Sequence, residues 1–257
     1  MLLAADIGNT NISAGVFNEK ELVETWNFST DKNKTADEYG IFLKNIIEIA
    51  GLDNKLHAAV ISSVVLPLTE KIKNAIEKYL KVPVLVVSHK TNNGIGIDVK
   101  NPKEVGSDRI ANACAAYHIY KSAAVVIDFG TATNFDVVSS DGKFVGGIIS
   151  PGIKMSSEAF SRFTNLLPKL KIEDTDSVIG KNTVESMLSG IIIGHASMID
   201  GIIEKIEKEL GYPVITIATG GYSLLIAGHL NRPFDYINPH ITLEGLRIIY
   251  ERTCADN

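Results

Sequence analysis

One strand–turn–strand unit is written twice in this chain. Ala4-Ala5-Asp6-Ile7-Gly8-Asn9-Thr10-Asn11 stands near the N-terminus, and Val126-Ile127-Asp128-Phe129-Gly130-Thr131-Ala132-Thr133-Asn134 recurs 122 residues later, counted from Asp6 to Asp128. Each copy ends an apolar run in Asp-x-Gly and continues into Thr and Asn. A β-like run follows, Ile12 to Phe17 or Phe135 to Val138, then a turn-forming patch at Asn18-Glu19-Lys20 or Ser139 to Lys143. A further β-like run closes each unit, Leu22 to Phe28 or Phe144 to Ile149. Such repetition predicts a duplicated fold with two loops facing one ligand.

The residue types in the loops suggest what that ligand is. Glycine lets the backbone come close to a polyphosphate. Backbone N–H groups and Thr hydroxyls donate to phosphate oxygens. A bare Asp is unfavourable beside phosphate, so its role there is to hold a cation, directly or through water. Two such loops imply a metal–nucleotide clamp, whereas one alone would read as an ordinary turn.

The remaining chain alternates helix and strand. Thr35-Ala36-Asp37-Glu38 is a capping box, with Gly51 placed to stop the helix it opens. His57 to Val65 reads as a buried strand, Pro67 as the first turn of a helix, and Val82 to Val87 as another strand. Ser88 to Lys100 is a loop, and Asn101-Pro102 opens a helix running to about Tyr120. After the second repeat, Ser150-Pro151-Gly152 turns into a helix, 165–180 reads as surface loop, and Asn182 to Leu210 as a long helix. Its Gly190, Gly194 and Gly201 suggest close packing against another helix or a nearby ligand. Pro213 to Ala218 is a strand, Thr219-Gly220-Gly221 a tight turn, and two helices finish the chain. The expected class is α/β, with lobes at 1–120 and 121–257 and a nucleotide cleft between them.

Composition narrows the partners. Hydrophobic content of 45% in 257 residues supports a full core. A formal charge of −5 without basic runs argues against nucleic acid. Cys114 and Cys254 lie in no metal-binding or disulfide pattern, and Cys114 reads as a small core residue. The N-terminus lacks a basic leader, and the apolar stretches are short, so no membrane and a cytoplasmic location are expected. His195 reads as packed, Trp26 as a core or surface residue, and Glu244 as structural.

No Gly-x-x-x-x-Gly-Lys loop and no His-Arg-Asp or Asp-Phe-Gly set occurs. The paired Asp-x-Gly-x-Thr loops resemble those of the acetate and sugar kinase, heat-shock chaperone and actin superfamily. That resemblance implies two duplicated ribonuclease-H-like (actin-like ATPase) lobes. Over nearly its whole length the chain resembles type III pantothenate kinase. This rests on Asp6 to Asn11, Asn101-Pro102-Lys103-Glu104-Val105-Gly106-Ser107-Asp108-Arg109, Ile127 to Thr133 and Gly146-Gly147-x-Ile149-x-Pro151-Gly152. Leu167-Pro168, Asn182-Thr183, Ala218 to Gly221 and Leu243-Glu244-Gly245-Leu246 complete the set.

The resemblance implies ATP-dependent phosphorylation of pantothenate to 4′-phosphopantothenate, the first committed step of coenzyme A synthesis. It implies Asp108 as proton acceptor, with Gly106, Ser107, Asp108, Arg109 and Thr183 as substrate contacts. Val99 stands where many members carry a substrate-contacting tyrosine, a departure that bears on affinity more than on chemistry. Asp6, Ile7, Gly8, Asn9, Thr10, Asn11, Ile12 and Ser13 map onto the ATP site, joined by Gly130, Thr131 and Thr133. Asp6 is expected to hold Mg²⁺ or another divalent cation, directly or through water, and Asp128 a monovalent K⁺ or NH₄⁺. Family members are usually homodimers, and the 182–210 helix is the expected contact surface. Two other readings are a non-catalytic nucleotide-binding regulatory or accessory homologue and a kinase of another small hydroxy-acid or sugar.

Overall fold

Both hairpins foretold by the repeated motif are formed in the computed structural model, which describes residues 1–255. The chain divides into two units, Met1–Tyr120 together with the segment that begins at His240, and Lys121–Pro239.

In the first unit β1 (Leu2–Ile7), β2 (Asn11–Asn18) and β3 (Glu21–Ser29) form an antiparallel meander. Helix α1 (Ala36–Ile49) leads to β4 (Ala58–Ser63), and α2 (Leu66–Tyr79) to β5 (Val84–Val86), giving the strand order β3-β2-β1-β4-β5. β4 runs parallel to β1, and β5 parallel to β4. The Thr35 capping box forms as expected: its side chain accepts from the Glu38 N–H while Glu38 reaches back. A two-residue strand, β6 (Gly96–Ile97), a 3-10 turn (Pro102–Glu104) and α3 (Ser107–Tyr120) follow.

The second unit repeats the plan. β7 (Ala124–Phe129), β8 (Ala132–Val138) and β9 (Lys143–Pro151) form the meander. Helices α4 (Ile153–Phe163) and α5 (Thr183–Leu210) precede β10 (Ile215–Gly220), then come α6 (Ser223–Ala227) and β11 (Tyr236–Ile237), in the order β9-β8-β7-β10-β11. β10 is parallel to β7 and β11 to β10. Even the irregularities recur, with a register shift between Val16 and Phe17 in one meander and between Val137 and Val138 in the other. Residues 8–11 separate the paired ends of the first hairpin, but only 130–132 those of the second.

Alternation along β1 sorts its side chains onto two faces. Leu3, Ala5 and Ile7 join Leu43, Ile47, Leu68 and Ile72 from α1 and α2. Leu2 and Ala4 join Ile110 and Cys114 of α3 and Leu246 and Ile249 of the last helix, α7 (Ile241–Ala255). The same parity puts Asp6 on the α3/α7 face. In β7, Val125, Ile127 and Phe129 enter a separate core with α5, so Asp128 takes the opposite face.

Four expectations change. Residues 240–255, expected in the second lobe, group with the first unit, because α7 buries Leu243, Leu246 and Ile249 against α3 and β1. The helix expected from Asn101-Pro102 is interrupted, since Val105 is extended and α3 starts only at Ser107. Thr219 and Gly220, expected in a tight turn, belong to β10, where pairing to Asp128 and Phe129 of β7 extends the strand. Helix α5 is, by length and composition, apolar enough to cross a membrane, unlike the short runs expected. Its apolar residues Ile191, Ile192, Ala196, Ile199 and Ile203 are buried in the second unit's core, which accounts for that character.

Candidate active site

Asp6 and Asp108 are brought together by the first unit alone. Parallel register sets Asp6 beside Ser62 of β4, and antiparallel register sets it beside Ser13 of β2. The Ser62 hydroxyl, fully buried, donates to Asp6 Oδ1 at 2.6 Å. Ser13 turns instead to Asn27 Oδ1. The loop beyond is tied down by Thr30, whose hydroxyl donates to Gly8 O (2.6 Å) and whose N–H donates to Thr10 O (2.9 Å). With those carbonyls engaged, Asn9, Thr10 and Asn11 are exposed on the loop. The side chains of Ile7 and Ile12 are core, so in that stretch only their backbone can meet a ligand.

Asp108 enters from α3. The 3-10 turn and extended Val105 deliver the chain so that Asp108 falls in the helix's first turn, where N–H groups and the helix dipole favour a carboxylate. The Arg109 N–H donates to Asp108 Oδ1 at 2.8 Å. Gly106 leaves room for that carboxylate: a Cβ there would meet Asp108 Oδ1, which would have to move. Ser107, expected to touch substrate, is buried and locks α3 to β4. The Ser63 N–H donates to Ser107 Oγ (2.9 Å), and the Ser107 hydroxyl donates back to Ser63 O (3.2 Å). Thr69 supports Ser63 through a 2.9 Å bond to its hydroxyl. Arg109 and Val99 are half-buried.

Electrostatics register this convergence. Burial, and then the charge of Asp108, push Asp6 up from the ordinary carboxylate value to about 7, against the lowering effect of Ser62. Asp108 is also raised, chiefly by burial, with the Arg109 N–H and the Arg109 charge opposing. Two carboxylates brought together at one half-buried strand end form a place where a cation would relieve the cost of ionisation. Among the described residues no group of three His, Cys, Asp or Glu side chains could enclose a metal. Two carboxylates are the kind of donor that a hard divalent ion shares with water and substrate phosphates.

In the second unit Asp128 occupies the position of Asp6, beside Asn134 of β8 and Thr219 of β10. Gly130 and Thr131 are exposed in the turn, and Gly152 passes so close to Thr131 O that a Cβ would clash. The Thr133 side chain is fully buried on the face of Phe129 and Phe135, so only its backbone can meet a ligand, and Asn134 shares the Asp128 face. Thr183 is exposed at the first residue of α5, after the Asn182 cap. A Cβ added at Gly190, Gly194 or Gly201 would meet nothing within 4 Å, so close helix packing within the chain does not explain these glycines. His195 is packed, its ring nitrogens 2.7 Å from Ile191 O and 3.1 Å from Pro151 O.

Ser62, Thr30 and Asn134 were not singled out from the sequence. For Ser62 a signal existed: Ala58-Ala59-Val60-Ile61 ends in Ser62-Ser63 as Leu2 to Ala5 ends in Asp6, and ligands gather at the carboxyl ends of parallel strands.

Two mixed sheets that share one five-strand order, each carrying Asp-x-Gly at the end of the strand that β1 or β7 supplies, form an actin-like, two-lobed α/β fold. The fold matches the crystal structure of a ROK hexokinase from Thermus thermophilus, with a TM-score of 0.53 at 13% identity, covering 100% of this chain and 99% of that one. A conserved putative Baf family transcriptional activator from Campylobacter jejuni gives a TM-score of 0.61 at 20% identity, covering 98% of this chain and 99% of the other. In sequence, the model of the type III pantothenate kinase family matches residues 2–205. A type III pantothenate kinase from Myxococcus xanthus is 42% identical over 256 residues, 99% of this chain and 100% of that protein. This chain belongs to the type III pantothenate kinase family.

Proposed function

We propose that the chain transfers the γ-phosphoryl group of ATP to the primary hydroxyl of pantothenate, giving 4′-phosphopantothenate and ADP for coenzyme A synthesis. The observation that carries the residue assignment is the meeting of Asp6 and Asp108 on one face of the first sheet. Asp108 accepts the hydroxyl proton as that oxygen bonds to the γ-phosphorus and the bond to the ADP oxygen breaks. Its raised affinity for protons makes it a better acceptor than an ordinary carboxylate. Arg109 offers its planar fork to the pantothenate carboxylate. Gly8 to Asn11 cradle phosphate, and Gly130 and Thr131 supply further ATP contacts. Phosphoryl transfer is mainly positioning and charge neutralisation, and a divalent cation, when bound at Asp6, supplies the latter. We take that ion to be Mg²⁺. Asp128 would hold K⁺ or NH₄⁺, with Asn134 and Thr219 beside it in register. The presence of Asp6, Asp108 and Asp128 together speaks against a non-catalytic homologue.

Self-association as a homodimer is supported by exposed Phe163, Leu166, Val178, Ile179 and Val184 in α4, the segment after it and the start of α5. Gly190 and Gly194, one turn apart and exposed on α5, leave a flat strip for a partner helix. The testing experiment is Asp108→Asn. Turnover falls by about two to four orders of magnitude while nucleotide binding persists; full activity would remove Asp108 from its role.

A further inference from the structure

We propose that Ser62 is a positioning residue that fixes the carboxylate of Asp6 for the divalent cation. The inference rests on the assignment of Asp6 to that cation. Ser62 is fully buried, and its single hydroxyl proton is spent on Asp6 Oδ1 at 2.6 Å. Register leaves few alternatives. Asp6 has a serine opposite it on each neighbouring strand, but Ser13 donates to Asn27, so of the two serines only Ser62 restrains the carboxylate. A carboxylate at a strand end otherwise rotates about its side-chain bonds. Bonding one oxygen to a side chain that is itself immobile selects one orientation and leaves Oδ2 as the oxygen not engaged by Ser62.

The same strand end also holds the second carboxylate. The reciprocal Ser63–Ser107 bonds pin the start of α3, and therefore Asp108, to the residue next to Ser62. Ser62 and Ser63 thus place both acids from adjacent positions on β4, one by its side chain and the other mainly by its backbone. Groups that hydrogen-bond a metal-ligating carboxylate orient it, and their loss costs about 10–100-fold in metal affinity or activity.

The test is calorimetric titration of nucleotide into the full chain, with and without Mg²⁺, for the wild type, Ser62→Ala, Ser62→Cys and Asp6→Asn, alongside melting temperatures without ligand. Ser62→Ala is expected to weaken the Mg²⁺ dependence of nucleotide binding by about 10-fold or more, leaving metal-free binding and melting temperature near wild type. Ser62→Cys, similar in size but a weak donor, falls between the two. Equal loss of metal-free and Mg²⁺-dependent binding, or no change in either, would overturn the proposal. If Asp6→Asn retains full Mg²⁺ dependence, the assignment of Asp6 itself fails; if Asp6→Asn loses it and Ser62→Ala does not, only the role of Ser62 fails.

Discussion

Gly106→Ala adds a methyl group at the point where the site leaves least room. The new Cβ would lie 3.3 Å from Val64 Cγ1 and inside contact distance of Asp108 Oδ1. Val64 can yield by a few tenths of an ångström, but Oδ1 would have to retreat by roughly 1 Å to reach an ordinary separation. That oxygen is the one receiving the 2.8 Å bond from the Arg109 N–H, so the retreat breaks the contact that aims the carboxylate. A misplacement of about 1 Å at a reacting group costs about 100-fold in rate. Stability should not follow. Gly106 does not occupy the left-handed region, and at such a site Gly→Ala gains about 0.4–1 kcal/mol from the unfolded chain. Steady-state kinetics by ADP release beside thermal melts should show kcat down by about 100-fold with the melting temperature within a few degrees. Wild-type turnover, or a loss of activity matched by unfolding, would refute this role for Gly106.

Three further outcomes are expected. Gly245→Ala drives a Cβ into Ala111 O between α7 and α3, so overpacking should destabilise the first unit by about 1–3 kcal/mol, read as a lower denaturant midpoint. Because the Asp6 pKa is raised in the fold, its protonated form is favoured there; stability from this group is present at low pH and is lost as pH rises toward and through about 7. The melting temperature of ligand-free protein should therefore fall from pH 5 to pH 8 relative to Asp6→Asn, and a constant difference would contradict the assignment. Replacing K⁺ by Na⁺ should slow turnover, and Asp128→Ala should remove the difference between the two ions.

Much of this architecture is legible in the residues, because period and turn chemistry are local. The twin Asp-x-Gly hairpins, the Thr35 capping box and the long α5 follow from spacing alone. The break before α3 does not, since Asn101-Pro102 carries a helix-start signal and no residue there marks the extended backbone at Val105. The attachment of α7 to the first unit depends on contacts between Leu246, Ile249 and residues far away in sequence, which no local pattern encodes. The Ser62–Asp6 bond likewise exists only once β1 and β4 are paired. The burial of the Thr133 side chain was legible: strict alternation with Phe135 already puts it on the core face and Asn134 on the Asp128 face.

The most direct test of the central claim is ADP release by the purified chain with ATP, Mg²⁺ and K⁺, with and without pantothenate, for the wild type and Asp108→Asn. Pantothenate-dependent turnover in the wild type, collapsing in Asp108→Asn while both proteins still bind ATP, is the predicted result. Absence of pantothenate-dependent turnover in folded, ATP-binding wild type, or equal turnover in the two proteins, would contradict it.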